Sequence, residues 1–339
     1  MLPENAQLEF TVAICTYNGA SRIPDVLECL RWQLKTENIQ WEVIVVDNNS
    51  NDGTADIIQR YQKDWPYPGR LHYAFEPKQG AGYARQKAVS MARSPWIGFV
   101  DDDNLLSMVW VHEACQFARR HPRVGVFGSR IRGLFECDTP DNFERIAPFL
   151  AITDRGYTPL IYAPEKKVLP PGAGMVVRRD AWVQNVPDNP VLSGRAGGRM
   201  LTGEDLEAVL HIQRAGWEVW YNPAMQLDHK IPQHRLTRQY LISLMRGIGL
   251  SRHRTRMLSV PGWKRPAMFW VYGLNDIRKI MFHVVKHGSK FWTDTVAASE
   301  LTIYCCSLVS PYYLWQQKLR QQWSNCFHQV SATVMSTDS

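Results

Sequence analysis

Short β-branched apolar runs alternate with helix-length amphipathic stretches through the first half of the chain. The apolar runs predict strands at 10–17 (FTVAICTY), 41–48 (WEVIVVDN), 71–76 (LHYAFE) and 96–100 (WIGFV). Between them, residues 22–36, 54–63 and 82–92 carry apolar side chains at three- and four-residue spacing, the signature of crossover helices. The alternation predicts an α/β fold with a mostly parallel central sheet flanked by helices. Right-handed crossovers then place the strand C-termini along one edge, where open α/β sheets bind ligands. Three strands end there in polar residues: Thr16-Tyr17-Asn18, Asp47-Asn48-Asn49 and Asp101-Asp102-Asp103-Asn104.

After residue 124 (VGVFGS) the rhythm loosens through Pro- and aromatic-rich residues 135–171. It recovers in the apolar segment 174–179, a helix over 204–215 and a strand over 218–221, and the tail beyond 230 reads as several helices. With 339 residues, 45% apolar and 21% charged, the chain has an ordinary globular composition. Its net charge of +7 is unevenly spread. Residues 230–330 hold 15 Lys/Arg against Asp276, Asp294 and Glu300, whereas residues 1–229 are slightly acidic. That asymmetry sets a boundary near 230. The expected organisation is a catalytic domain over 1–230, split into a nucleotide half (1–129) and an acceptor half (130–230), then a basic helical extension (231–330) and a disordered tail (331–339). Seven scattered cysteines without a CxxC pair argue for reduced thiols rather than disulfides or a zinc site. Residues 1–10 carry Glu4 and Glu9 and no basic apolar leader, which predicts a catalytic part kept in the cytoplasm.

Three adjacent aspartates after an apolar strand place like charges side by side, an arrangement that a cation relieves. Mg²⁺ binds through one or two carboxylates and substrate phosphate oxygens, and Mn²⁺ accepts the same ligands. An isolated triplet would read as a helix cap, and its position after WIGFV favours the metal. Asp47 is suited to a base imide or ribose hydroxyl and equally to forming a turn with Asn49. Arg85, one turn into a helix behind Gly80-Ala81-Gly82, is placed for a donor phosphate or for a solvated face. Glu204 and Asp205 open a helix, where acids favour the dipole and where a general base for an acceptor hydroxyl would also serve. The preceding stretch 194–203 reads as a mobile loop. His229 precedes the polar run KIPQHR and fits a metal or phosphate ligand or a structural histidine.

Together these segments resemble the inverting glycosyltransferases of family 2, which have the GT-A fold. The carriers are TVAICTYNGA (11–20), VIVVDNNSNDGTAD (43–56), GYARQKAV (82–89), GFVDDDN (98–104), GAGMVVRRDAW (172–182), GEDLEAVLHIQRAGWEVWYNPAM (203–225) and LDHKIPQHRLTRQYL (227–241). LPPGAGMVVRRDAW and GIGLSRH most resemble the cyanobacterial glycosyltransferases of hormogonium polysaccharide biosynthesis, HpsE-like. The resemblance covers roughly residues 8–260. It implies a hexosyltransferase-type enzyme using Mg²⁺ or Mn²⁺, a nucleotide-diphosphate sugar donor and a glycan or lipid-linked acceptor. Asp47 would contact base or ribose, and Thr16, Tyr17, Asn18, Asn49, Arg85 and Asp102 would line the donor site. The aspartate triplet matches the DXD motif, with Asp101 toward ribose and metal and Asp103 on the metal beside His229. Asp205 matches the catalytic base with Glu204 next to it, and Gly172 and Gly174 fall on the acceptor side.

A nucleotidyltransferase would need a Gly-rich basic loop after the first strand, where this chain has CTYNGASRIP. An inactive transferase-like adaptor at a membrane surface is the other alternative. No nucleic-acid-binding module is recognisable in the basic tail. Its tryptophans interleave with Lys/Arg, which raises peripheral association with the inner face of the plasma membrane alongside simple packing on the core. Asp294, Glu300 and Pro311 argue against a spanning helix over 295–315.

Overall fold

The computed structural model describes residues 7–67, 69–166, 168–192, 194 and 202–337, with side chains through 320. Its elements run β1 (Phe10–Thr16), α1 (Ile23–Arg31), β2 (Trp41–Asp47), α2 (Thr54–Lys63), β3 (Leu71–Phe75), α3 (Ala81–Met91), β4 (Trp96–Asp101), β5 (Asn104–Leu106), α4 (Trp110–Arg120) and β6 (Val124–Phe135). There follow β7 (Leu160–Ile161), β8 (Met175–Arg178), α5 (Arg179–Asn185), α6 (Glu204–Arg214), β9 (Glu218–Ile231), α7 (Arg238–Leu258), α8 (Arg265–His287) and α9 (Thr295–Thr337). One sheet takes the order β3-β2-β1-β4-β8-β6-β9-β5, with β7 on β9. The first four strands are parallel, as the crossover pattern predicts. Strand β8 is antiparallel to β4 and β6, and β6 runs parallel to β9.

Strands covered on both faces are largely apolar, and β1 and β2 are, with Thr11, Thr16, Glu42 and Asp47 as their polar exceptions. Phe10, Val12, Ile14, Val43 and Val45 face one layer with Leu27 of α1, Ile58 of α2 and Trp110 of α4. Ala13, Ile44, Val46, Ile97 and Phe99 face the other, with Ala88 of α3, Trp182 of α5 and Ile212 of α6. A third cluster joins the C-terminal helices to residues 143–150: Leu241 and Met245 of α7 and Val296 and Ile303 of α9 close over Phe143, Ile146 and Leu150. The boundary near 230 is therefore a change of charge and secondary structure across continuous packing.

Several boundaries differ from the expectation. The helix expected over 22–36 ends at Arg31. The strand expected over 218–221 is a 14-residue strand reaching Ile231, so His229 sits inside β9. After the aspartate triplet, β5 pairs Asn104 with His229 before helix α4 starts at Trp110. Backbone of α9 is helical through Thr337, where the sequence pattern set 331–339 apart as a disordered tail. The loop expected at 194–203 falls largely outside the described residues, as do residues 1–6. The six cysteines with described side chains are free.

At the sheet edge opposite the strand C-termini, Glu42 of β2 is 1% exposed. Burial raises its carboxyl, but His72, Arg93 and Thr11 together hold it down to about 2, against an ordinary 4.5. A lowered folded-state pKa stabilises the fold above about pH 4.5, and the contribution is lost as pH falls toward about 2. Glu42→Gln should therefore reduce unfolding free energy by up to about 3 kcal/mol at pH 7. Urea unfolding at pH 7 and pH 4 measures this, and a difference from wild type that fails to shrink at the lower pH would contradict the linkage.

Candidate active site

The loops after β1 and β2 interlock where the sheet edge opens. Asn18 and Asn49 both take left-handed backbone (φ 47° and 67°), which Asn tolerates better than most side chains. The Asn18 amide donates to Ser50 Oγ at 2.9 Å, and Asn18 Oδ1 accepts from the Asn51 amide at 2.9 Å. Tyr17 stays exposed beside them. Asp47 is 2% exposed; it accepts the Ser50 amide at 2.9 Å and the Tyr73 hydroxyl at 3.1 Å. Desolvation, with Asp47 beside it, pushes that phenol up to about 12. Asp47 thus forms the turn expected of it, at the C-terminal end of β2.

The aspartate triplet divides its labour. Asp102 receives Thr16 Oγ1 at 2.5 Å and a two-pronged contact from Arg22, Nε to Oδ1 at 3.0 Å and Nη2 to Oδ2 at 2.8 Å. Gly19 makes this possible, because a Cβ there would collide with Thr16 Oγ1 and lie 2.6 Å from Asp102 Oδ2. Thr16 and Asp102 therefore brace the site floor through protein contacts. Asp101 ends β4 with 40% of its side chain open, 3.8 Å from Arg85 Nη2. Desolvation at the cleft floor pushes the Asp101 carboxyl up to about 6 against the pull of Arg85, and the charge of Asp103 adds to the rise. Desolvation also opposes charge on Asp103, but His229 and then Arg235 outweigh it and hold that carboxyl at about 2.

Arg85 joins two ends of the site. Its Nη1 donates to Glu204 Oε1 at 2.9 Å while Nη2 faces Asp101. Burial works against the guanidinium charge, yet Glu204, Asp101 and Asp205 keep it above its ordinary range. Asp205 accepts the Gly172 amide at 2.6 Å through Oδ2 and the Leu206 amide at 2.8 Å through Oδ1. Gly172 has no room for a side chain: a Cβ would meet Arg85 Nη2 at 2.7 Å and Asp205 Oδ2 at 2.9 Å. The carbonyl of Gly174 (φ +63°) accepts from Ser129 Oγ at 2.6 Å, one layer deeper.

Two residues escaped the sequence reading. Arg22 braces Asp102, and Arg235 reaches in from the turn before α7. Its Nη1 lies 2.7 Å from Asp103 Oδ2 and 3.2 Å from His229 Nε2. Arg235 follows His229 by six residues in LDHKIPQHRL, which is the one signal the sequence offers.

A divalent cation fits this donor set. The Leu150 carbonyl, 3.0 Å from His229 Nδ1, can only accept, so Nδ1 carries the proton. A divalent cation bound here would take the lone pair of Nε2, which lies 3.3 Å from Asp103, as metal-binding imidazoles held by a backbone carbonyl do. A cationic group already stands at that point in the form of Arg235. Asp101 lies apart: among the described residues, the three-ligand group that gathers within 4.8 Å is His283, His287 and Glu300 in the extension, where Arg145 pairs with Glu300.

The model of the family described as glycosyl transferase family 2 matches residues 11–181. TuaG of Bacillus subtilis, whose name assigns it to teichuronic acid biosynthesis, is 36% identical over 90 residues, covering 26% of this chain and 33% of that one. The chain spans between a quarter and a third of the length of TuaG, EpsH and YfnE, its Bacillus subtilis relatives. The succinoglycan biosynthesis protein ExoM of Rhizobium meliloti is 22% identical over 248 residues, 70% of this chain and 72% of ExoM. Among solved structures, the Pyrobaculum calidifontis mannosyltransferase PcManGT with GDP-Man and Mn²⁺ superposes at TM-score 0.53 and 16% identity, covering 94% of this chain and 88% of that one. S. aureus TarS 1–349 with UDP gives 0.51 and 15%, covering 90% and 92%. These likenesses carry the GT-A fold.

Proposed function

The chain belongs to glycosyl transferase family 2, and from that premise we propose that it is an inverting, metal-dependent glycosyltransferase of polysaccharide biosynthesis. The donor is a nucleotide-diphosphate sugar and the acceptor a glycan or lipid-linked glycan. Within the family, LPPGAGMVVRRDAW and GIGLSRH favour the hormogonium polysaccharide branch of cyanobacteria. The setting is the cytoplasm, at the inner face of the plasma membrane.

One observation carries the reading: Arg85 bridges Asp101 at the donor end to Glu204 at the acceptor end, with Asp205 held beside it by the Gly172 amide. Glu204 is committed to Arg85. Asp205 is held by two backbone amides and by no side-chain donor among the described residues, which leaves it the better base. Asp205 takes the proton of the acceptor hydroxyl as its oxygen attacks the anomeric carbon from the face opposite the diphosphate. The bond to the diphosphate oxygen breaks, and nucleoside diphosphate leaves with the electron pair. Arg85 counters charge between the two ends, and Arg235 is placed to answer charge on the departing diphosphate. Asp103 and His229 would hold Mg²⁺ or Mn²⁺, with Asp101 facing the ribose and the metal shell, and the ion when bound would neutralise leaving-group charge. Mn²⁺ in the PcManGT complex is in keeping with this choice of cation.

Purified protein mixed with UDP-, GDP- and dTDP-sugars should release nucleoside diphosphate from one donor class with Mn²⁺ or Mg²⁺, and stop when EDTA is added. Absence of both metal-dependent donor binding by calorimetry and product release across the panel would sink the proposal.

A further inference from the structure

Helix α8 is amphipathic in the wrong sense for a water-facing helix. Surface helices ordinarily turn apolar residues inward. Here the inward side is polar: Asp276, 1% exposed, holds Arg256 through two contacts of 2.5 and 2.7 Å. His283 is buried as well, and its Nε2 donates to the Ala297 carbonyl at 2.8 Å. The outward side is apolar, with Trp270, Leu274, Ile277, Met281 and Val285 recurring every three or four residues along one stripe. Trp270 is 71% exposed, Leu274 67%, Met281 64% and Val285 83%. Trp263 before the helix and Trp292 after it are also exposed. A continuous apolar stripe of this length marks an interaction surface.

Charge identifies the occupant. The one acid of α8, Asp276, is buried and paired, so no carboxylate of the helix faces outward. Exposed Lys264, Arg278, Lys286 and Lys290 border the stripe. A basic rim around an apolar face, with tryptophans at both ends, complements the interface of an anionic bilayer. No described helix is long and apolar enough to cross a membrane, which leaves an in-plane geometry. We propose that the outward face of α8 lies in the headgroup region of an anionic lipid bilayer and anchors the enzyme there. This gives the membrane setting proposed above its contact surface, and it stands apart from the assignment of Asp205 and Asp103.

The full chain should float with phosphatidylcholine vesicles that contain phosphatidylglycerol, and much less with phosphatidylcholine alone. Leu274→Glu combined with Val285→Glu, both at exposed positions, should lower partitioning at least about tenfold. Lys264→Gln, Arg278→Gln and Lys286→Gln should each lower it by about fivefold. Circular dichroism and lipid-free donor turnover, run in parallel, should not change, which separates loss of the anchor from loss of the fold or of the transferase reading. The anchor is overturned if wild type does not float, or if the double Glu variant floats equally well. It is also overturned if that variant merely splits a dimer in sedimentation while vesicles go unbound.

Discussion

Asp205→Asn should lower transfer by about 10² to 10⁴-fold, the usual share of a positioned general base. The substitution keeps shape and size, and Asn can still accept the Gly172 amide that Asp205 now receives at 2.6 Å. What it loses is the capacity to take a proton from the acceptor hydroxyl. Donor binding should survive, because Arg85 and the triplet are untouched. The comparison that assigns the base is Glu204→Gln, which removes a charge from the Arg85 pair at 2.9 Å and should disturb donor affinity more than turnover at saturating donor. Initial transfer rates with calorimetry of nucleoside diphosphate would show the split. If Asp205→Asn keeps a tenth of wild-type turnover while Glu204→Gln is inert, the roles belong the other way round.

Asp103→Asn should cost about 10² to 10³ in rate, as for loss of one preorganised electrostatic element. Asparagine rather than alanine is the informative choice. Arg235 is a largely enclosed cation, and stripping its partner outright would add a folding penalty. In the amide variant the guanidinium keeps an oxygen to donate to, and its Nε still reaches the Tyr240 hydroxyl at 3.1 Å. The variant should melt near wild type and bind nucleoside diphosphate without the enhancement Mn²⁺ gives the parent. Turnover that still rises with Mn²⁺ would remove Asp103 from the metal role.

The parallel half of the fold was legible because its strands are apolar on both faces and its helices keep a clean period. Strand β9 was not. Beyond Tyr221 it reads NPAMQLDHKI, with Pro223 and alternating polar residues, and its ladder to β6 is irregular there, shifting register between Ser129 and Arg130. Pairing with a partner about a hundred positions away, rather than local preference, makes that segment a strand. In the site, Asp47, the triplet, Glu204 and Asp205 were identifiable as polar residues at strand and helix ends, and Arg85 and His229 only from the motifs around them, since they lie within α3 and β9. Their division of labour was not: three identical aspartates in a row carry no mark showing that Asp102 braces Thr16 and Arg22 while Asp103 meets His229. The Arg235–Asp103 contact spans 132 positions, so only the packing of the extension onto Phe143, Ile146 and Leu150 reveals it. Charge asymmetry along the chain gives no sign that Arg235 packs against Asp103.

The path of the sheet also sets an order of assembly. Strands β1 to β4 lie within the first 101 residues and can pair as soon as they emerge. Ladders β4 to β8 and β6 to β9 join positions roughly eighty to a hundred apart, and such distant closures come late and slowly because chain entropy is lost before contacts form. A nascent chain stopped after β8 would hold all three aspartates at a finished strand end, yet lack Asp205, His229 and Arg235. Competence to react therefore arrives with the last strand and the turn behind it, so refolding followed by catalysis should lag refolding followed by the parallel core.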